Sequence, residues 1–73
     1  MAEHAATCDL SVIIVNWNAR AFLGPCLDSV LAAGDALTLE VWVADNASED
    51  GSAEMVRTHY PQVGLILYCF LFL

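Results

Sequence analysis

The sequence predicts an α/β protein with one parallel sheet, in the order strand, helix, strand, helix, strand. Continuous apolar runs alternate with segments in which apolar residues recur at helical spacing. The runs are rich in β-branched residues, which is typical of parallel strands that are covered on both faces. Alternation of strands and helices implies parallel pairing through right-handed crossovers, so a βαβαβ sheet is expected.

The first strand and the first helix form the first half of this pattern. The run LSVIIV, Leu10 to Val15, is the predicted strand. After NWNAR, apolar residues recur at helical spacing and predict one buried stripe. Its residues are Phe22, Leu23, Cys26, Leu27, Val30 and Leu31. Because proline fits the first turn of a helix, Pro25 predicts a helix that begins near Ala21 or Phe22. Gly34 is the predicted stop.

The second half of the chain repeats the order. LEVWVA, Leu39 to Ala44, is the predicted second strand, and a polar loop follows it. SAEMVRTHY, Ser52 to Tyr60, predicts a short helix that Pro61 ends. Its inward side chains are Met55, Val56 and Tyr60. VGLILY, Val63 to Tyr68, is the predicted third strand.

Composition limits the functions that the chain could have. The sequence of 73 residues is predicted to contain a disordered leader at 1–8, a partial domain at 9–68 and an apolar tail at 69–73.

Apolar residues make up 59% of the chain, above the roughly 45–50% of soluble domains, so surfaces that need further cover are expected. The net charge is −7 with two basic side chains. Nucleic-acid binding is therefore not expected, because it needs cations that displace phosphate counterions.

The cysteines and the N-terminus predict a reduced, cytoplasmic environment. Three cysteines without CxxC spacing indicate neither a disulfide framework nor a zinc site. The start MAEHAATCD has no basic region and no apolar core, so it is not a secretion signal. The apolar end LILYCFLFL is too short to span a bilayer, which takes about 20 residues. Contact of this tail with a membrane surface or a protein stays an alternative.

Two polar segments follow the first two strands, where open parallel sheets bind their ligands. The first is Asn16-Trp17-Asn18, and the second runs from Asp45-Asn46 to Gly51. If the strands are neighbours, both segments face one crevice. Amide and carboxylate groups suit hydrogen bonds to a base edge or a ribose. Trp17 could stack on a ring, and packing is the alternative for it.

Ordinary structural roles compete with ligand binding in both segments. Asp45, at the strand tip, is assigned to ligand binding, whereas Asn16 and Asn18 fit a turn equally well. Ser48 or Asp50 could cap the following helix. Neither a GxGxxG nor a GxxxxGK(S/T) motif is present, so a pyrophosphate would need a metal or another part of the protein. No arrangement of histidine with serine or cysteine suggests a nucleophile.

The two polar segments and the helix CLDSVL between them resemble family 2 glycosyltransferases, most closely the rhamnosyltransferase-like branch. That family reads S-(V/I)-(V/I)-I-(V/P)-x-(Y/W)-N on strand one and V-D-(D/N)-x-S-x-D-G-(S/T) after strand two. The matching residues here are Ser11 to Val15, Trp17, Asn18, Asp45, Asn46, Ser48, Asp50, Gly51 and Ser52. The resemblance covers residues 9–67 approximately.

This resemblance implies a Rossmann-like sheet that is the N-terminal, incomplete part of a GT-A nucleotide-diphospho-sugar transferase fold. The family transfers a sugar from a nucleotide diphosphate donor to an acceptor with inversion. By resemblance, Val15 and Trp17 line the base pocket, and Asp45 or Asn46 contacts a uracil-like or thymine-like base or its ribose. Asn16 completes the predicted donor-binding residues. The family often has aspartate where Asn46 stands.

The resemblance also shows what this sequence does not contain. In the intact family a DxD motif binds Mn²⁺ or Mg²⁺, which offsets charge on the leaving diphosphate, and a later carboxylate acts as general base. Neither has a match here, so no metal ligand and no catalytic residue is predicted. After Leu67 the sequence departs into YCFLFL, as expected for a truncation, a frameshift product or a gene fragment. We therefore expect this chain alone to be inactive. The alternative is a non-catalytic α/β binding or interaction module that uses the apolar tail.

Overall fold

A computed structural model describes residues 8–35 and 37–69 of the chain. Its elements are β1 (Leu10–Asn16), α1 (Arg20–Ala32), β2 (Leu39–Asn46), α2 (Ser52–His59) and β3 (Gly64–Tyr68). The three strands pair in parallel in the order β1-β2-β3, which confirms the predicted α/β class. The domain bounds stay a prediction, since leader residues 1–7 and tail residues 70–73 lie outside the described residues.

Both strands that carry the polar segments are longer than predicted. β1 continues through Asn16 and β2 through Asn46, because these residues still pair with neighbouring strands. Asn16 is the partner of Asp45, and Asn46 is the partner of Tyr68. The polar residues therefore stand in the last rows of the sheet, where the backbone ladder fixes their positions, rather than in loops.

The first helix begins at Arg20, earlier than the predicted start near Ala21 or Phe22. The backbone N–H of Arg20 donates to Asp50 Oδ2 at 2.9 Å, which satisfies a donor of the first turn from outside the helix. Pro25 consequently lies in the second turn and not in the first, where it offers no N–H to the Ala21 carbonyl. The predicted start near Ala21 is thus correct to within one residue.

The helix ends agree only in part with the sequence pattern. α1 ends at Ala32 and continues into a 3₁₀ turn, Ala33–Asp35. Gly34 lies inside that turn without a positive φ, so it is not a left-handed stop. α2 ends at His59, and the predicted terminator Pro61 follows in a turn.

The core lies between the two helices and one face of the sheet, here called the helix face. Its buried residues are Leu23, Leu27, Val41, Val43, Val56 and Val63. Two of the six residues of the predicted stripe of α1 are wrong, because Phe22 is 78% exposed and Cys26 is also exposed. Both residues lie at one margin of the stripe, whereas the sheet contacts its centre.

The opposite side of the sheet, here called the open face, carries no helix within the described residues. Strand alternation assigns to it Ser11, Ile13, Val15, Glu40, Trp42, Ala44, Asn46, Gly64, Ile66 and Tyr68. The expectation that both faces of the strands are covered is therefore met on the helix face only. Neither described helix combines the length and the apolar character that crossing a bilayer requires.

Candidate functional site

The polar residues at the carboxyl ends of β1 and β2 lie side by side. Asn16 and Asp45 are partners in the parallel register, and they are only 4% and 2% exposed. Asn16 Nδ2 donates to Asp45 Oδ1 at 2.8 Å. The two polar segments therefore share one edge of the sheet, as expected for neighbouring strands.

Ser48 fixes the turn that follows β2. Its hydroxyl donates to Asp45 Oδ1 at 2.7 Å, and its backbone N–H donates to Oδ2 at 3.0 Å. Between them, Ala47 has a φ of +50°, a left-handed conformation that costs a non-glycine residue roughly 1–2 kcal/mol. The bonds to Asp45 hold Ala47 there. Capping of α2 by Ser48 is wrong, because Ser48 is engaged with Asp45 and the helix is preceded by Gly51.

Further hydrogen bonds tie the two loops to each other. The backbone N–H of Asn18 donates to Ser48 Oγ at 2.9 Å, and the backbone N–H of Glu49 donates to Asn18 Oδ1 at 2.7 Å. Asn18 has a φ of +48°, a region that asparagine enters more readily than most residues. The loops after β1 and β2 therefore form one connected unit.

Asp50 joins the starts of the two helices. Its Oδ2 accepts the Arg20 N–H, and its Oδ1 accepts both the N–H and the hydroxyl of Ser52. The Arg20 guanidinium donates to the Asp50 carbonyl at 3.3 Å and lies against Gly51, which has a φ of +85°. Asp50 thus acts at the start of α2, as expected. Its bond to α1 had no signal in the sequence, because the two residues are far apart in the chain.

Hydrogen bonds favour the ionised form of both aspartates. Burial acts to raise the pKa of the Asp45 carboxyl, but hydrogen bonds from Asn16 and Ser48 outweigh it and hold that pKa below its usual value. The Ser52 hydroxyl and then the backbone N–H at the start of α1 lower the pKa of Asp50. Each carboxylate is thus an acceptor for the protein's own donors.

The predicted donor-site residues divide into an inner and an outer group. Asn16 and Asp45 are buried and bonded to each other. Val15 is 68% exposed and Trp17 is 65% exposed, so Trp17 is not packed within the described residues. Asn46 is half-buried and alternates to the open face, as Val15 does. The outer group is Val15, Trp17 and Asn46, and a ligand at this edge would contact these residues first.

A shallow depression of about 550 Å³ lies between the starts of the two helices. It is lined by Asn18, Ala19, Arg20, Ala21, Phe22, Gly24, Asp50 and Met55. Its volume lies within the roughly 300–1,000 Å³ of ligand pockets. The sequence pattern did not indicate it, because helical spacing assigned Phe22 to the core.

Metal binding finds no support within residues 8–35 and 37–69. No group of three or more histidine, cysteine, aspartate or glutamate side chains is arranged there to hold an ion. Asp45 and Asp50 are engaged by protein donors instead. The described residues therefore do not fit the divalent cation that the resemblance implies.

The fold and this edge define a class: an α/β protein whose parallel sheet ends in two polar loops joined by hydrogen bonds. The family model for glycosyl transferase family 2 matches residues 11–71 of the chain. The chain therefore belongs to glycosyl transferase family 2, as the sequence resemblance predicted. The rhamnosyltransferase-like branch stays a prediction. No curated protein and no solved structure matches the chain.

Proposed function

We propose that the carboxyl edge of the sheet forms part of the pocket for a nucleotide-diphosphate sugar, the donor in a sugar transfer with inversion. Family membership supports the reaction class. The observation that carries the location is Trp17, which is 65% exposed beside two loops tied together by hydrogen bonds. An exposed aromatic ring on a rigid support is suited to stacking on a base.

The remaining residues of the edge have complementary roles in this proposal. Val15 offers an apolar wall, and Asn46 offers an amide for a base edge or a ribose hydroxyl. Asn16 and Asp45 support this surface from inside the sheet, acting through the Ser48 hydroxyl. The motifs resemble those of the rhamnosyltransferase-like branch, and the expected base is uracil-like or thymine-like. Uridine and thymidine diphosphates are therefore the first ligands to test.

Calorimetric titration of these nucleotides into the wild type, Trp17→Ala and Phe22→Ala tests the proposal. Stacking of a base on an aromatic side chain contributes about 1–3 kcal/mol, so Trp17→Ala should bind roughly tenfold more weakly. Phe22→Ala is the matched control, since it removes another exposed aromatic ring near the same loops. Equal affinity of all three proteins contradicts the proposal. If Phe22→Ala weakens nucleotide binding and Trp17→Ala does not, the nucleotide binds in the depression between the helices instead.

We expect no sugar transfer from this chain alone. Donor binding by itself does not activate an acceptor hydroxyl, which needs a positioned base. The two aspartates nearest the proposed pocket already accept hydrogen bonds from the protein. The check is turnover of uridine- and thymidine-diphosphate sugars with purified chain and Mn²⁺. Product formation clearly above a buffer control would show that the expectation is wrong.

A further inference from the structure

The depression between the starts of α1 and α2 is separate from the donor pocket proposed above. None of the residues expected to contact the nucleotide, Val15, Trp17 and Asn46, lines it. Its volume of about 550 Å³ is large enough for a small organic molecule. The depression is therefore a second place on this chain that can hold a ligand.

Most of the lining of this depression is apolar. Phe22 contributes a strongly exposed ring, and Met55, early in α2, contributes a half-buried thioether side chain. The small residues Ala19, Ala21 and Gly24 also line it. An aromatic ring and a thioether both make favourable contacts with a second aromatic ring. The lining therefore suits a ligand with an aromatic body.

Arg20 supplies a positive charge at this largely apolar site. Among the described residues its guanidinium has one acceptor, the Asp50 carbonyl, which lies 3.3 Å from Nη1. A guanidinium has five N–H donors, so most of them remain for a ligand. The other arginine of the chain, Arg57, is instead paired with Glu54 at 3.0 Å. Arg20 is thus the arginine whose donors are available to an anion.

Asp50 limits the charge of that anion. Its carboxylate oxygens accept the backbone N–H of Arg20 and both donors of Ser52, so they do not bind the guanidinium. The lining consequently carries one positive and one negative side chain. A ligand with two or more negative charges, such as a phosphate or a nucleotide, is repelled by the second. A carboxylate has a single charge, and its two oxygens match the planar fork of a guanidinium.

We propose that this depression binds a small aromatic carboxylate, with the carboxylate on the Arg20 guanidinium and the ring against Phe22 and Met55. The carboxylate accepts from the N–H donors that the Asp50 carbonyl does not use. The ring covers apolar surface that is exposed in the free chain. This site does not depend on the proposed donor function, because the two sites have no proposed contact residue in common.

Calorimetric titration of the wild-type chain with two matched ligands tests the proposal. 2-Naphthoate and 2-naphthamide have the same ring system, but only the naphthoate is charged. We expect the naphthoate to bind roughly tenfold more tightly, as a charge-assisted hydrogen bond predicts. Acetate, which has the charge without the ring, should bind far more weakly than the naphthoate. Equal affinities for the two naphthyl ligands, or no binding of naphthoate at millimolar concentration, overturn the proposal.

The two arginines of the chain provide matched variants. Arg20→Gln removes the charge but keeps the backbone N–H that Asp50 accepts, and it should lower the affinity for naphthoate to that for naphthamide. Arg57→Gln changes the net charge equally and should retain most of the preference. Equal losses in both variants would reduce the contact to general electrostatics and overturn the proposal. If circular dichroism shows that Arg20→Gln does not fold, the two ligands on the wild type decide.

Amide shifts of the ¹⁵N-labelled chain locate the ring. Naphthoate should shift the resonances of Arg20, Phe22 and Met55 most, and Phe22→Ala should weaken binding of both naphthyl ligands several-fold. Shifts centred on Trp17, or displacement of naphthoate by uridine diphosphate, would place the ligand in the donor pocket and overturn the proposal. A chain that binds naphthoate at Arg20 but binds no nucleotide would contradict the donor pocket alone.

Discussion

The two faces of the sheet carry similar apolar side chains but differ in what covers them. On the helix face, Val41 and Val43 are 5% and 0% exposed, whereas on the open face Ile13 and Val15 are 66% and 68% exposed. The order β1-β2-β3 with right-handed crossovers explains the difference, because it places both helices on the same side. The direction of a side chain, more than its type, therefore decides whether it stabilises this fold or is available for binding.

The same contrast divides the candidate site. Asn16 and Asp45 turn towards the helix face, where they are buried and bonded to each other. Their chain neighbours Val15 and Asn46 turn towards the open face. A step of one residue along a strand thus separates a structural brace from a proposed ligand surface.

The largest effect is expected from a matched pair of core and open-face substitutions. Leu27→Ala should lower the free energy of unfolding by about 2–5 kcal/mol, because Leu27 is fully buried between α1 and the sheet. Ile13→Ala should cost less than about 1 kcal/mol, mainly through strand propensity. Urea unfolding measures both. Similar losses would show that the open face is covered in solution.

A somewhat smaller loss of stability is expected when the buried hydrogen bond between Asn16 and Asp45 is removed. Asp45→Ala should cost about 2–3 kcal/mol, because it leaves the buried Asn16 amide and the Ser48 N–H without their acceptor. Glu49→Ala removes the same charge from an exposed side chain and should stay within about 0.5 kcal/mol. Equal unfolding midpoints for the two variants would contradict the structural role of Asp45.

The hydrogen bonds of Asp45 also predict that stability depends on pH, and this should be the smallest of these effects. The folded pKa of Asp45 lies below its usual value of 3.8. Its contribution is therefore complete above that value and is lost as the pH falls through the folded pKa. Asp45→Asn should lose less stability than the wild type between about pH 5 and pH 2. Parallel pH profiles in urea unfolding would show that the ionised carboxylate contributes nothing.

Sequence patterns predicted the fold closely because each strand can be recognised from a short apolar run in the sequence. LSVIIV, LEVWVA and VGLILY each read as apolar runs, and each became a strand of the sheet. The pattern did not predict that Phe22 and Cys26 are exposed, because helical spacing defines a stripe but not how much of it the sheet contacts.

The position of the polar residues in the sheet was predictable, but the hydrogen bonds among them were not. Polar residues after two apolar runs indicated one edge of a parallel sheet, and the structure places them there. The bonds of Ser48 to Asn18 and of Asp50 to Arg20 join residues about thirty positions apart. No local spacing rule addresses such pairs, so the roles of Ser48 and of the start of α1 were missed.

The most direct test of this account is to map nucleotide binding residue by residue. Amide resonances of the ¹⁵N-labelled chain are recorded during titration with uridine or thymidine diphosphate. The account predicts the largest shifts at Val15, Trp17 and Asn46, with a fitted affinity that Trp17→Ala weakens. Shifts centred on Phe22 and Met55, or no shifts at millimolar nucleotide, would contradict the proposed donor pocket at the carboxyl edge.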